Sequence, residues 1–319
     1  MIDSGGQTPG APGDVFAMPG LSIRYDLPDP AIADAITGYH VYTADDAGER
    51  VDWFLPGTAN IRVTLDAGPV SVAIRRRTFA PLPPAALFGP TSQAMRAVTH
   101  GGTMIGIGVS ALGWSRLFAR PAADYRDRIV PLADAATHPA LADDLVRTLA
   151  ATDRSHGVKP ALDAFFARRL GNPHADASQI RRLTALILDE RVDTLAAAAL
   201  EMAMPPHALR RLTARHFGFA PKLLLLRARF LQSFTRLLQD GDALHYARIA
   251  PTYHDVPHFL RDARAFLGTT PRRFMAQPTI FLRASLRARA AVLGAATQAL
   301  HDVAQNAATQ PLDAPHPAP

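Results

Sequence analysis

Leu209-Arg210-Arg211-Leu212-Thr213-Ala214-Arg215-His216-Phe217-Gly218-Phe219-Ala220-Pro221-Lys222 and Phe259-Leu260-Arg261-Asp262-Ala263-Arg264-Ala265-Phe266-Leu267-Gly268-Thr269-Thr270-Pro271-Arg272 lie 50 positions apart and follow one plan. An apolar residue is followed two positions later by Arg, and then by apolar-Gly-x-x-Pro-basic. Each copy predicts a short amphipathic helix ended by Gly, the residue that tolerates a left-handed C′ position. Pro then opens the next helix, where its missing N–H is harmless. A shorter helix precedes each copy, at Asp193–Met202 and Ala243–Ala250. Helix, tight turn and Arg-bearing second helix make a helix-turn-helix, here twice over.

The texture differs upstream. From about Leu21 to Pro131, β-prone runs at Tyr39–Tyr42, Val51–Leu55, Asn60–Leu65, Val70–Ile74 and Thr103–Val109 are separated by Pro/Gly punctuation. Their spacing predicts a small barrel or sandwich. Apolar residues three or four apart predict helices over Pro139–Ala151, Lys159–Leu170 and Ala177–Glu190. The expected fold class is therefore α+β: a barrel-like β domain (residues 21–137), a helical connector (138–192) and an all-α domain (193–290). A Gly/Pro-rich leader (1–20) and a helical extension with an Ala/Pro-rich tail (291–319) flank them, and neither 1–20 nor 304–319 is expected to be ordered.

Charge separates the same parts. The chain of 319 residues carries +6 overall, but Asp193–Arg289 holds 15 Lys/Arg against 6 Asp/Glu, leaving −3 for the rest. A polyanion partner for the helical part alone fits that asymmetry. The absence of cysteine excludes disulfides, thiolate metal sites and cysteine nucleophiles. No apolar run is long enough to span a bilayer and no signal peptide opens the chain, so the expected location is the cytoplasm.

The repeat, and above all Ile249-Ala250-Pro251-Thr252-Tyr253-His254-Asp255-Val256-Pro257-His258-Phe259-Leu260-Arg261-Asp262 with Phe266-Leu267-Gly268-Thr269-Thr270-Pro271-Arg272-Arg273-Phe274, resembles the DNA-binding domain of AraC/XylS transcription regulators. The resemblance covers about Asp193 to Met275. It implies two helix-turn-helix units joined by a long helix, here Lys222–Gln239, and double-stranded DNA as partner. Recognition helices then fall on Pro206–Phe217 and on Val256 to about Phe266. The first places His207, Arg210, Arg211 and Arg215 toward DNA. The second places Val256, Pro257, His258, Arg261 and Arg264 there. Leu209, Leu212, Phe217, Phe259, Ala263 and Phe266 form the buried faces. Arginine is well suited to bidentate guanine contacts and to phosphate.

The chain departs from the family pattern in its turns, where Ala203 and Thr252 replace the usual Gly, and at the first recognition helix, where Pro205 replaces a capping side chain. Asp255 retains a cap for the second. Val51-Asp52-Trp53-Phe54-Leu55-Pro56-Gly57 and Asp127–Asp134 resemble the cupin-like domain that precedes the DNA-binding domain in one branch of the family. That implies a sensory or dimerisation module, with a small-molecule effector, a homodimer and, for an activator, RNA polymerase as further partners.

No catalytic, metal or cofactor residues are expected. Gly106-Ile107-Gly108-Val109-Ser110-Ala111 fits G-x-G-x-x-A, but it lies in an apolar run without a well-placed acidic residue, and reads as strand. Arg75-Arg76-Arg77 reads as a solvated strand end, with an anion or nucleic-acid site as the alternative. Two other functions compete: an enzyme with a DNA-targeting tail, and an interaction adaptor that no longer binds DNA. The first lacks a thiol nucleophile and a His/carboxylate cluster in the β domain. The second leaves Arg211, Arg261 and Arg264 unexplained.

Overall fold

The computed structural model describes residues 15–18, 20–189, 194–239, 249, 253 and 255–293. Among the described residues nine strands form one antiparallel sheet: β1 (Val15–Met18), β2 (Leu21–Asp26), β3 (Ile36–Phe54), β4 (Asn60–Leu65), β5 (Ser71–Ile74), β6 (Arg77–Phe79), β7 (Ala85–Phe88), β8 (Met95–Val109) and β9 (Ile129–Pro131). Their order is β1-β2-β3-β8-β4-β7-β9, with the β5–β6 hairpin joined to β8. The long strands β3 and β8 pair along most of their length. The expected strands at 39–42 and 51–55 are thus two ends of one strand, with a register shift between Ala44 and Glu49. Within the expected leader, Val15–Met18 is a strand paired with β2, so that segment is corrected. Edge pairing orders it, a long-range contact that Gly/Pro-rich composition does not reveal.

Alternation decides the two sheet faces. Tyr39 and Val41 on β3, Ile61 and Val63 on β4, and Ile105 and Ile107 on β8 turn one way into the main core. That face is covered by α1 (Ala111–Leu117), α2 (Leu132–Ala135), α3 (Ala140–Ala150) and α4 (Val158–Arg169), which contribute Trp114, Leu132, Leu145 and Phe166. Gly106 and Gly108 lie in β8, and a side chain at Gly108 would stand 2.1 Å from the Thr37 hydroxyl. At Gly108 smallness serves the packing, whereas a Cβ at Gly106 would meet only ordinary contacts, 3.4 Å from Asn60 Oδ1.

Helices α5 (Ala177–Leu188), α6 (Leu195–Glu201), α7 (Pro206–His216) and α8 (Pro221–Gln239) build a second core, and α8, α9 (Val256–Leu267), α10 (Pro271–Met275) and α11 (Ile280–Leu293) a third. Of the expected helix at Ala243–Ala250 only Ile249 is described, and the tail 304–319 lies outside the described residues. Helix α11 returns to the sheet, where Phe281, Ala284 and Ala288 pack on Leu21, Ile23 and Tyr25. Asp52 of β3 accepts from the Phe281 N–H at 2.8 Å, so the strand caps the first turn of the helix. No helix among the described residues is long and apolar enough to cross a membrane.

Candidate nucleic-acid interface

The first unit opens with α6, capped by the Thr194 hydroxyl, which accepts from the Ala197 N–H at 3.1 Å. The turn to α7 places Ala203 at φ +49. A left-handed residue is needed here, and alanine is disfavoured in that conformation by its Cβ. Helix α7 starts at Pro205-Pro206 with no side-chain cap. Leu209 and Leu212 are buried, whereas His207, Arg210 and Arg211 are exposed on the opposite face. Their spacing of three and four puts them together. Gly218, at φ +82, ends the unit and donates to the Thr213 carbonyl at 2.9 Å.

Arg215 is exposed too, but its guanidinium lies 3.2 Å from His174 Nε2 in the connector. Next to it His216 is buried, with Nε2 2.9 Å from the Asp176 carboxylate. Burial holds the His216 pKa below its ordinary value, so the neutral ring donates to Asp176. Among the described residues, His174, Asp176 and His216 are grouped closely enough to hold a metal ion, their ligand atoms lying within 4.8 Å of one another. The nearby Arg215 guanidinium opposes a cation there. Sequence reasoning passed over this group because His216 lies 40 positions beyond Asp176, on the other side of α5.

The second unit is better capped. Asp255 Oδ1 accepts from the His258 N–H at 2.7 Å, and Pro257 occupies the first turn. Phe259, Ala263 and Phe266 are buried. Pro257, Arg261 and Arg264 are exposed, and Val256 and His258 are half-buried. Gly268 closes the helix at φ +72. Of the segment expected to form the helix before this unit, Ile249 alone is described.

His258 is drawn toward α8. Arg229 on that helix lies 3.3 Å from His258 Nε2 and donates to the Asp262 carboxylate at 3.1 Å. Tyr253 donates to the same carboxylate at 2.9 Å, and burial pushes its phenol well above the ordinary range. This network fixes the angle of α9 on α8. Arg210, Arg211, Arg261 and Arg264 have no ion-pair partner among the described residues.

Helix α8 has 19 residues and spans about 28 Å between the units. In its second turn the fully buried Arg227 donates to the Thr91 and Gly57 carbonyls of the β domain. The loop 89–94 touches both units. Pro90 lies against Gly218, where an added side chain would approach to 2.7 Å, and the Ala94 N–H donates to the Phe266 carbonyl at 2.8 Å. The C-terminal ends of both candidate recognition helices therefore rest on one β-domain loop. On the sheet face under α11, a cavity of about 120 Å³ is lined in part by His40, Tyr42, Arg62 and Arg289.

No family model matches the chain, and no curated protein does so. Among solved structures the chain is similar to ToxT from Vibrio cholerae O395, at 12% identity over 75% of this chain and 96% of that one, with a TM-score of 0.40. It is similar to unsaturated fatty acid bound ToxT from strain SCE256, at 11% identity over 76% and 95%, with a TM-score of 0.41. A further likeness is to the AraC-like transcriptional activator CuxR, at 14% identity over 71% and 79%, with a TM-score of 0.21.

Proposed function

We propose that this chain is a sequence-specific, DNA-binding transcriptional regulator of the AraC type. The observation that carries the reading is the pairing of α7 and α9. Two helices on one repeated plan bury Leu209 and Leu212, or Phe259 and Ala263, and expose Arg210 and Arg211, or Arg261 and Arg264. Each ends at a left-handed Gly, and the rigid α8 sets their separation. A span of about 28 Å with the width of the flanking helices suits neighbouring major-groove segments about 34 Å apart.

In this reading backbone phosphates supply much of the affinity, and base edges met by Arg211 and Arg261 supply sequence choice. His207, Arg210, Val256 and Pro257 border those contacts. His258, held by Arg229, serves mainly to position α9, and Arg215 belongs to the connector contact as well as to the basic face. Residues 193–290 are the DNA-binding domain, 138–192 the connector and 21–137 a sensory and dimerisation domain. A small-molecule effector would occupy the cavity beneath α11, where its binding would act on the loop that carries both units. RNA polymerase is the partner if the protein activates.

Selection from a random duplex library tests this. A two-part motif whose halves are about 10 base pairs apart is expected. No enrichment over the starting pool would refute the reading.

A further inference from the structure

An open cleft of about 1830 Å³ runs between the β domain and the α9–α10 region. Nine of the residues lining it are arginines and only two are acidic, Asp124 and Asp127. Both acids are engaged, Asp124 with Arg120 at 3.1 Å, and Asp127 with the Ser92 N–H and hydroxyl at 2.6 and 2.7 Å. The β-domain wall carries Arg75, Arg76 and Arg77 at the hairpin tip and Arg96 on β8, with Arg126 and Arg128 in the loop before β9. The facing wall carries Arg264 and Arg273. None of these eight has an ion-pair partner among the described residues.

The concentration of charge here is not a consequence of overall composition. Residues 1–137 contain 11 Arg and no Lys against 13 Asp/Glu, a net of −2. Seven of those 11 arginines nonetheless line this one cleft. Of the other four, Arg24 and Arg116 pair with Asp26 and Asp34. The hairpin itself departs from ordinary turn chemistry. Its two-residue loop is Arg75-Arg76, between the paired Ile74 and Arg77, and Arg75 adopts φ +57, a conformation usually given to Gly or Asn. A solvated strand end has no need of arginine there.

We propose that this cleft holds the sugar-phosphate backbone of bound duplex DNA, so that the β domain contributes phosphate contacts beside the second recognition helix. The proposal rests on the DNA-binding reading above. Its occupant is an extended polyanion, because the charge is spread along two walls of an open cleft instead of converging on one point. The polyanion is the same duplex, because the cleft includes Arg264, one turn beyond Arg261 on the same face of α9. The helix ends that rest on loop 89–94 bring the β domain beside any duplex seated on α9. Guanidinium forks match phosphate oxygens, and such contacts add affinity without sequence choice.

The test uses the full chain and a fluorescein-labelled, mixed-sequence duplex of about 30 base pairs, with affinity measured from about 50 to about 300 mM KCl. Arg75→Asn/Arg76→Gln/Arg77→Gln is expected to weaken binding about tenfold or more and to reduce the salt slope by about two to three, at about 0.9 per phosphate lost. Arg126→Gln/Arg128→Gln, away from the hairpin, should reduce the slope by up to about two, and it carries the test if the hairpin variant unfolds. Wild-type affinity and slope in both variants, with binding weakened by Arg261→Ala, would overturn the proposal and leave the DNA-binding reading intact. A wild-type chain with no salt-dependent DNA affinity would overturn both.

Discussion

Arg227, in the second turn of α8, donates through one nitrogen to the Thr91 carbonyl at 2.8 Å and to the Gly57 carbonyl at 3.1 Å. The helix that joins the two candidate DNA-reading units is thereby fastened to the β domain by a buried cation. Burial lowers the guanidinium pKa to about 10, which leaves it charged at neutral pH. Its ring neighbour is Phe219, with the guanidinium carbon 5.3 Å from the centroid.

Arg227→Met keeps much of the side-chain bulk but leaves the Thr91 carbonyl without its donor, while the Gly57 carbonyl keeps the Thr91 N–H at 3.0 Å. The expected cost is about 1–3 kcal/mol, for the one buried acceptor left unpaired. Denaturant unfolding measures it. Stability within about 0.5 kcal/mol of wild type would mean that water or a neighbour replaces the donor.

Ala203→Gly should stabilise the protein. Ala203 sits at φ +49, where a Cβ costs about 1 kcal/mol, partly offset by the greater backbone entropy that glycine loses on folding. A gain of about 0.5–1 kcal/mol, read as a higher midpoint at unchanged denaturant dependence, is expected. A loss would show that the alanine methyl packs usefully in this turn.

Asp255→Ala removes the one side-chain cap of α9. The expected cost is about 1 kcal/mol. Pro205 provides no such bond for α7, so Pro205→Ser offers the converse gain. Amide exchange in the first turns of α7 and α9 reports both changes. Equal protection in wild type and in the Asp255→Ala chain would contradict the capping account.

Asp52 gives a pH signature. Burial pushes its pKa up to about 7, opposed by the N–H groups of Phe281 and Trp53. The folded chain therefore holds this proton at pH values where the unfolded chain has released it. The associated stability is fully present below the ordinary carboxylate pKa and declines as pH rises from about 4 to about 7. Asp52→Asn should flatten that part of the stability profile, read by amide exchange along α11. An unchanged pH slope in the variant would assign the effect to another group.

The C-terminal helices were legible because their signals are local. Gly218 and Gly268 mark chain reversals that only a left-handed residue makes comfortably, and the apolar spacing of Leu209, Leu212, Phe259 and Ala263 defines the buried faces. The strands at Asn60–Leu65 and Thr103–Val109 were legible for the same reason. What escaped depends on distant partners. Nothing near Asp52 announces that it caps a helix more than 200 positions later, and Arg227 looks like any solvated charge of an amphipathic helix. The short strand Val15–Met18 owes its order to β2. The Arg75–Arg77 run was visible, but its facing wall, Arg264 and Arg273, comes from another part of the chain.

The central claim is that α7 and α9 each read DNA through an exposed arginine. Its most direct test is the affinity of wild type, Arg211→Ala and Arg261→Ala for the selected two-part site and for every single-base variant of it, at one fixed salt concentration. Each substitution is predicted to cost about 1–3 kcal/mol and to relax base preference in one half-site only, a different half for each arginine. Unchanged preference in both halves for both variants would contradict it.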